Sequence, residues 1–319
     1  MNLLKEISQN KNIKKPVIYG LKGLQISQQE IDFFRKSSPI GFILFARNIQ
    51  DKIQLKKLCD DLKDLMGGQV LILIDQEGGR VQRIKPPLCS SYPPIFDLAK
   101  NYQQDPDLTC RKIYQNYQNI ASDLGEFGIN VNCAPLLDIL SKETHDVIGN
   151  RALGDNCNDV AKLAQIVCDS LLSKNIYPVI KHIPGHGRAK CDSHLDLPIV
   201  DISLKELQES DFVPFKQLKD QKFAMTAHIL YSQIDDSLPA TLSKKVIDVI
   251  RNQIDFQNII MTDDLSMKAL KGSFEEKTIQ AINAGCDVIL HCNGDMQEMV
   301  AINNSLNNIN DSLLSKLTK

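Results

Sequence analysis

Eight short apolar runs recur along the chain, and each is followed by a longer segment of helical periodicity. The runs are PVIYG (16–20), GFILF (41–45), VLILID (70–75), INVNCAP (129–135), YPVIKH (177–182), FAMTAH (223–228), NIIMTDD (258–264) and DVILHC (287–292). Helices are expected over 27–36, 51–66, 109–127, 157–174, 204–220, 243–254, 274–284 and 295–317. In the second of these, Ile53, Leu55, Leu58, Leu62 and Leu65 form a stripe at mostly three- and four-residue spacing. Such a stripe marks a helix that buries one face. Nearly continuous apolar strands suit a parallel sheet covered on both sides, and eight strand–helix units are the count of a closed barrel. The expected fold is α/β, a single (β/α)8 TIM-type barrel.

Length and composition agree with one domain. The chain has 319 residues, 43% hydrophobic and 24% charged, enough for a large core and an ordinary surface. No linker, repeat or low-complexity tract divides it, so residues 1–319 are read as one catalytic domain. Residues 1–15 are expected to be a polar lead-in with room for a short helix. Residues 295–317 are expected to be a final docking helix, with Leu306, Ile309, Leu313 and Leu317 on its inner face.

Charge and targeting signals exclude several classes. A formal net charge of -2 gives no electrostatic ground for nucleic acid or an anionic membrane as partner. No apolar run approaches a membrane span, and the start, MNLLKEISQNKNIKK, lacks the apolar core of a signal peptide. The nine cysteines form no CxxC pair, and reduced thiols in a cytoplasmic protein account for them most simply. Cys191, beside Asp192 and His194, is read as a loop thiol in preference to a Cys–His nucleophile.

Four apolar runs end on ionisable groups: LILID on Asp75, PVIKH on Lys181 and His182, AMTAH on His228, and IIMTD on Asp263. Any one of these suits a helix cap or a packing residue. In a barrel, however, strand C-termini meet at one face, so four such endings converge there. The stretch 177–198, YPVIKHIPGHGRAKCDSHLDLP, concentrates the chemistry further. Pro184, Gly185 and Gly187 stop any helix and make a loop that carries His186, Arg188, Lys190 and the triplet Asp192-Ser193-His194. An Asp two residues from a His orients the imidazole and raises its basicity, which suits proton transfer near neutral pH. A metal site is not expected. His182 and His186 are four apart, but Pro184 and Gly185 prevent the helix that would align them, and no HExxH glutamate follows. Gly78-Gly79 and GLKG at 20–23 lack phosphate-loop spacing.

Seven segments in order carry a specific resemblance: FILFARN (42–48), LIDQEGGRVQRI (73–84), VIGNRALG (147–154), KHIPGHG with DSHLDLP (181–198), MTAHILY (225–231), LPATLS (238–243) and MTDDLSM (261–267). Together they resemble the single-domain β-N-acetylglucosaminidases of glycoside hydrolase family 3, the NagZ type, over nearly the whole chain. The resemblance implies a (β/α)8 barrel that retains anomeric configuration and needs no cofactor. It assigns Asp263 as nucleophile, with Asp264 the alternative or else the N-cap of a helix starting near Leu265. It makes His194 the acid/base with Asp192 as its partner. Asp75, Arg83, Arg151, Lys181 and His182 would hold the non-reducing sugar. The implied substrate is a muropeptide-like saccharide, GlcNAc linked β-1,4 to 1,6-anhydro-N-acetylmuramic acid, from recycled cell wall. Two positions depart from the family pattern. Arg188-Ala189-Lys190 replaces acidic and small residues, and Asn150 stands where an Asp commonly precedes the equivalent of Arg151. A phosphorylase, drawn by Arg188 and Lys190, and an inactive sugar-binding barrel are the alternatives. A two-domain β-glucosidase of the same family is disfavoured by length.

Overall fold

A computed structural model describes residues 3–318. All eight apolar runs become strands of one closed, parallel barrel. In chain order they are β1 (Lys15–Gly20), β2 (Pro39–Leu44), β3 (Leu71–Ile74), β4 (Val131–Asn132), β5 (Tyr177–Ile183), β6 (Phe223–Thr226), β7 (Ile259–Asp264) and β8 (Val288–His291). Each pairs with its sequence neighbours, and β8 returns to β1 through Val17↔Ile289 to close the ring.

The barrel sorts its apolar residues by the two-residue period of a strand. One set packs outward under the helices, including Ile72, Ile74, Ile180, Ala224, Ile260 and Ile289. The alternate set fills the lumen, including Leu71, Leu73, Val179, Phe223, Met225, Ile259, Met261, Val288 and Leu290. This alternation positions the site, because continuing the inward set by two residues reaches Asp75 just past β3, Lys181 on β5 and Asp263 on β7.

Strand β4 is shorter than the expected 129–135. Pro135 has no N–H to extend the ladder, and two side-chain amides reinforce the short pairing with β3. Asn130 accepts from Ile72 N–H at 2.8 Å and donates to the Val70 carbonyl at 2.9 Å. Asn132 does the same with the backbone of Gln76, at 3.0 Å in both directions.

Two further expectations are corrected, and one is refined. The helix expected over 204–220 is two, Leu204–Glu209 and Phe212–Gln217. Pro214 cannot donate to the Ser210 carbonyl, so the first helix stops and a second restarts. The docking helix expected over 295–317 is likewise split, into Met296–Ser305 and Asp311–Thr318, with Leu306 extended between them. The lead-in does hold a short helix, Leu3–Gln9, but it is not polar on every face, since Leu4 and Ile7 are buried. Leu4 and Ile7 join Leu313 and Leu317 in the lumen cluster, so the two chain ends together plug the N-terminal mouth of the barrel. Both ends thus bury apolar surface that the lowest lumen layer would otherwise expose.

No described helix is long and apolar enough to cross a membrane. All nine cysteines are free.

Candidate active site

The C-terminal ends of the strands surround a cleft of about 710 Å³. Every residue singled out from the sequence as catalytic or substrate-binding lines it: Asp75, Arg83, Arg151, Lys181, His182, Asp192, His194 and Asp263. His228 does not. It is fully buried behind β6 and β7, with Nδ1 at 2.7 Å from Thr241 Oγ1 and Nε2 at 3.0 Å from the Asp264 carbonyl. It braces the end of β7 from outside the lumen.

One wall is a charged cage. Lys181, 2% exposed, places Nζ 2.9 Å from Asp75 and 2.7 Å from Glu77. Arg83 reaches the other oxygen of Asp75 at 3.2 Å. Arg151 grips Glu77 with two parallel bonds of 2.8 Å each, from Nε and Nη2. The fork-to-carboxylate match makes this pair both strong and rigid. Burial alone would raise the pKa of Asp75, but Lys181 and then Arg83 more than offset it and hold the carboxyl well below its ordinary range. Glu77 is likewise lowered, against burial, by Arg151 and Lys181. In turn Lys181 is raised despite burial by Asp75 and Glu77. Both carboxylates are therefore ionised, and the oxygens of Asp75 keep lone pairs free for ligand hydroxyls.

Glu77 was not singled out from the sequence. Its signal was its neighbourhood: QEGG forms a small hairpin with Val81–Gln82, placing Glu77 two residues beyond Asp75 and inside the protein. The backbone there needs glycine, since Gly78 has φ +100 and an added Cβ would lie 2.4 Å from the Pro93 carbonyl oxygen.

Asp138 is a second residue the sequence concealed, within the apolar stretch PLLDIL. It is fully buried and accepts from His182 Nδ1 at 2.7 Å, from His182 N–H at 3.2 Å and from His186 N–H at 2.6 Å. These contacts overcome burial and lower its pKa to about 2. With Nδ1 committed to Asp138, the imidazole of His182 keeps Nε2 for a ligand in the cleft.

Asp263 ends β7 on the lumen side. Its Oδ1 accepts from Asp264 N–H at 2.8 Å. Burial pushes its pKa up, but the charges of His228 and His182 and the Asp264 N–H together leave it below the ordinary value. Asp264 is occupied otherwise. Its carboxylate accepts from Ser266 N–H at 2.9 Å, Ser266 Oγ at 2.6 Å and Cys292 N–H at 3.1 Å. The expected helix after Leu265 is a turn instead, and the next helix begins at Phe274. Asp264 therefore ties that turn to the end of β8.

Above the floor, His194 Nδ1 lies 2.7 Å from Asp192 Oδ1, and the imidazole is 60% exposed. Bonds from His194 keep the Asp192 carboxylate below its ordinary pKa despite partial burial. Cys191 does not line the cleft, and burial raises its thiol pKa, so it is not held as a nucleophile. Arg188 and Lys190 also lie outside the cleft. Arg188 pairs with Asp211 at 2.8 Å and Glu206 at 3.1 Å, and Lys190 pairs with Glu143 at 2.8 Å. Among the described residues, no group of three or more His, Cys, Asp or Glu side chains is arranged to hold a metal ion.

This arrangement places an ionised carboxylate on the floor, a His–Asp pair above it and a polar cage at one side. Comparison with known proteins agrees with that chemistry. Residues 7–316 match the glycosyl hydrolase family 3 N-terminal domain. A β-hexosaminidase of Actinobacillus pleuropneumoniae serotype 3 is 34% identical over 285 residues, covering 87% of this chain and 81% of that protein. One from Nitrosomonas eutropha is 34% identical over 284 residues, covering 87% and 80%. Among solved structures, NagZ from Neisseria gonorrhoeae in complex with N-trifluoroacetyl-D-glucosamine superposes with a TM-score of 0.88 at 31% identity, covering 96% of this chain and 90% of that one. The chain belongs to glycosyl hydrolase family 3, as a single-barrel glycosidase of its β-hexosaminidase branch.

Proposed function

We propose that the protein is an exo-acting, retaining β-N-acetylglucosaminidase that works through a covalent glycosyl-enzyme. Asp263 attacks the anomeric carbon while His194 gives a proton to the departing glycosidic oxygen. The same imidazole, now neutral, takes a proton from water, which attacks the anomeric carbon and releases the sugar with overall retention. Asp192 holds the Nδ1–H tautomer and leaves Nε2 for the proton in flight. The single observation that carries this reading is the β7 register. Ile259, Met261 and Asp263 share the inward face, so the carboxylate is delivered to the floor of the cleft beneath a His–Asp pair.

Asp75, Arg83, Lys181, His182 and Arg151 would hold the terminal sugar. The substrate proposed is GlcNAc β-1,4-linked to 1,6-anhydro-N-acetylmuramic acid, with or without peptide, in cytoplasmic recycling of cell wall. The Neisseria relative bound to an N-acylglucosamine supports the sugar assignment. The outward pairing of Arg188 and Lys190 favours water over phosphate as acceptor, because neither cation adds to the field in the cleft.

Two experiments test this. A slow 2-fluoro-type aryl glycoside should label Asp263, located by peptide mass spectrometry; a label on Asp264 or any other acid would overturn the nucleophile. Turnover in phosphate buffer should yield free sugar, and sugar 1-phosphate as the main product would make the protein a phosphorylase.

A further inference from the structure

The loop that carries Asp192 and His194 divides into a fixed base and a lightly held tip. The base is clamped at several points. The Gly185 carbonyl accepts from Tyr231 Oη at 2.5 Å, and the Gly187 carbonyl accepts from Thr144 Oγ1 at 2.5 Å. Gly187 passes so close to Ile139 that an added Cβ would lie 1.8 Å from its carbonyl oxygen. Arg188 then anchors the loop to Asp211. By contrast, apart from a local bond from the adjoining Leu197 N–H to Asp196, two hydrogen bonds tie the tip, 191–196, to the rest of the protein among the described residues. One is a long backbone bond of 3.4 Å from Lys268 N–H to the His194 carbonyl. The other runs between Ser193 Oγ and His186 Nε2, at 3.1 Å.

Ser193 is 3% exposed although its neighbour His194 stands in solvent, so the hydroxyl is the inward anchor of the tip. His186 is 2% exposed and belongs to the clamped base, its N–H bonded to Asp138, which also fixes His182. We propose that the Ser193–His186 hydrogen bond is a latch that sets the position of His194 over the cleft, making Ser193 and His186 positioning residues for proton transfer. Burial first, and then the neighbouring His182, lowers the His186 pKa to about 4, so the ring is neutral at working pH. Among the described residues its Nδ1 has no partner, and an unpaired buried N–H is rarer than an unpaired acceptor. That favours the tautomer in which Nε2–H donates to Ser193 Oγ. Removing the hydroxyl then leaves a buried donor unsatisfied and releases the tip.

The proposal rests on His194 being the proton donor, and its test separates the two. Ser193→Ala and His194→Ala are compared with the wild type across glycosides whose leaving groups span alkyl alcohols to very acidic phenols, by pre-steady-state glycosylation rates. For Ser193→Ala the expected loss on the alkyl aglycone is about 5- to 20-fold, the effect of one buried hydrogen bond on the latched population. Loss on the most acidic phenol is expected within about 2-fold, and inhibition by N-acetylglucosamine should be unchanged, since neither needs the proton. Ser193→Cys, which keeps a weak acceptor, should fall between. If His194→Ala has the leaving-group dependence and Ser193→Ala has none, or loses equally on every substrate, the latch is overturned alone. If His194→Ala itself lacks that dependence, the proton-donor reading fails and the latch with it.

Discussion

Glu77→Gln should destabilise the protein more than its distance from the chemistry suggests. The carboxylate is 4% exposed and receives two bonds from Arg151 and one close contact from Lys181, both largely buried. Neutralising it leaves those two cations with Asp75 and the Val147 carbonyl as their remaining partners. Breaking a buried ion pair from one side costs about 3–5 kcal/mol, because the surviving charge stays buried. Unfolding entropy near 2.1 cal/mol/K per residue gives about 0.67 kcal/mol/K for this chain of 319 residues. The expected drop in Tm by differential scanning calorimetry is therefore about 4.5–7.5 °C. The acid dependence adds a second readout. The folded pKa of Glu77 lies below its ordinary 4.5. Its stabilisation is thus fully present above pH 4.5 and is lost as pH falls through the folded value. Glu77→Gln should lose that slope, so wild type and variant converge in stability as the buffer is acidified below pH 4.5. A Tm change under about 1 °C at pH 7, or parallel stability curves down to pH 3, would refute the cage as a stabilising element.

Two further outcomes follow from the same geometry. Asp75→Ala should reduce N-acetylglucosamine affinity at least about tenfold by calorimetric titration, as expected for a lost charge-assisted bond. Its Tm should fall less than that of Glu77→Gln, because Lys181 keeps Glu77 at 2.7 Å; a larger fall with unchanged affinity would make Asp75 purely structural. Asp138→Asn should weaken binding by freeing His182 Nδ1 and lower Tm by about 2–4 °C, from about 1.5–3 kcal/mol. Since its pKa falls from 3.8 to about 2, that stabilisation is present above pH 3.8 and disappears as pH drops toward 2. Unfolding curves at pH 2 and pH 7 check it, and an equal difference at both would remove Asp138 from the linkage.

The barrel was legible in the sequence because its two signals are local. A strand buried on both faces reads as an apolar run, and a helix that covers it reads as a stripe of 3.6-residue period, so each unit announces itself within some thirty residues. Strand endings were legible for the same reason: an acid or a Lys-His pair after an apolar run is visible without knowing what it meets. Periodicity alone could not say which of Asp263 and Asp264, both at the cleft, continues the inward face of β7 and which is tied to the following turn. That depends on the phase of β7 within a closed ring, where Met261 pairs with Met225 and the odd-numbered residues face inward. The same limit hid His228, which ends a run like the others yet stands behind the barrel wall, and Asp138, a charge inside an apolar stretch. Glu77 and the Ser193–His186 bond belong to this second class. A cage or latch exists only where distant segments meet, and Glu77 becomes a buried anion because Arg151 and Lys181, 74 and 104 residues away in the chain, arrive to neutralise it. The chain ends show the same division. The spacing of Leu313 and Leu317 already marked a docking face, but where that face docks, beside Leu4 and Ile7 in the open lower mouth of the barrel, was decided only by the closed ring.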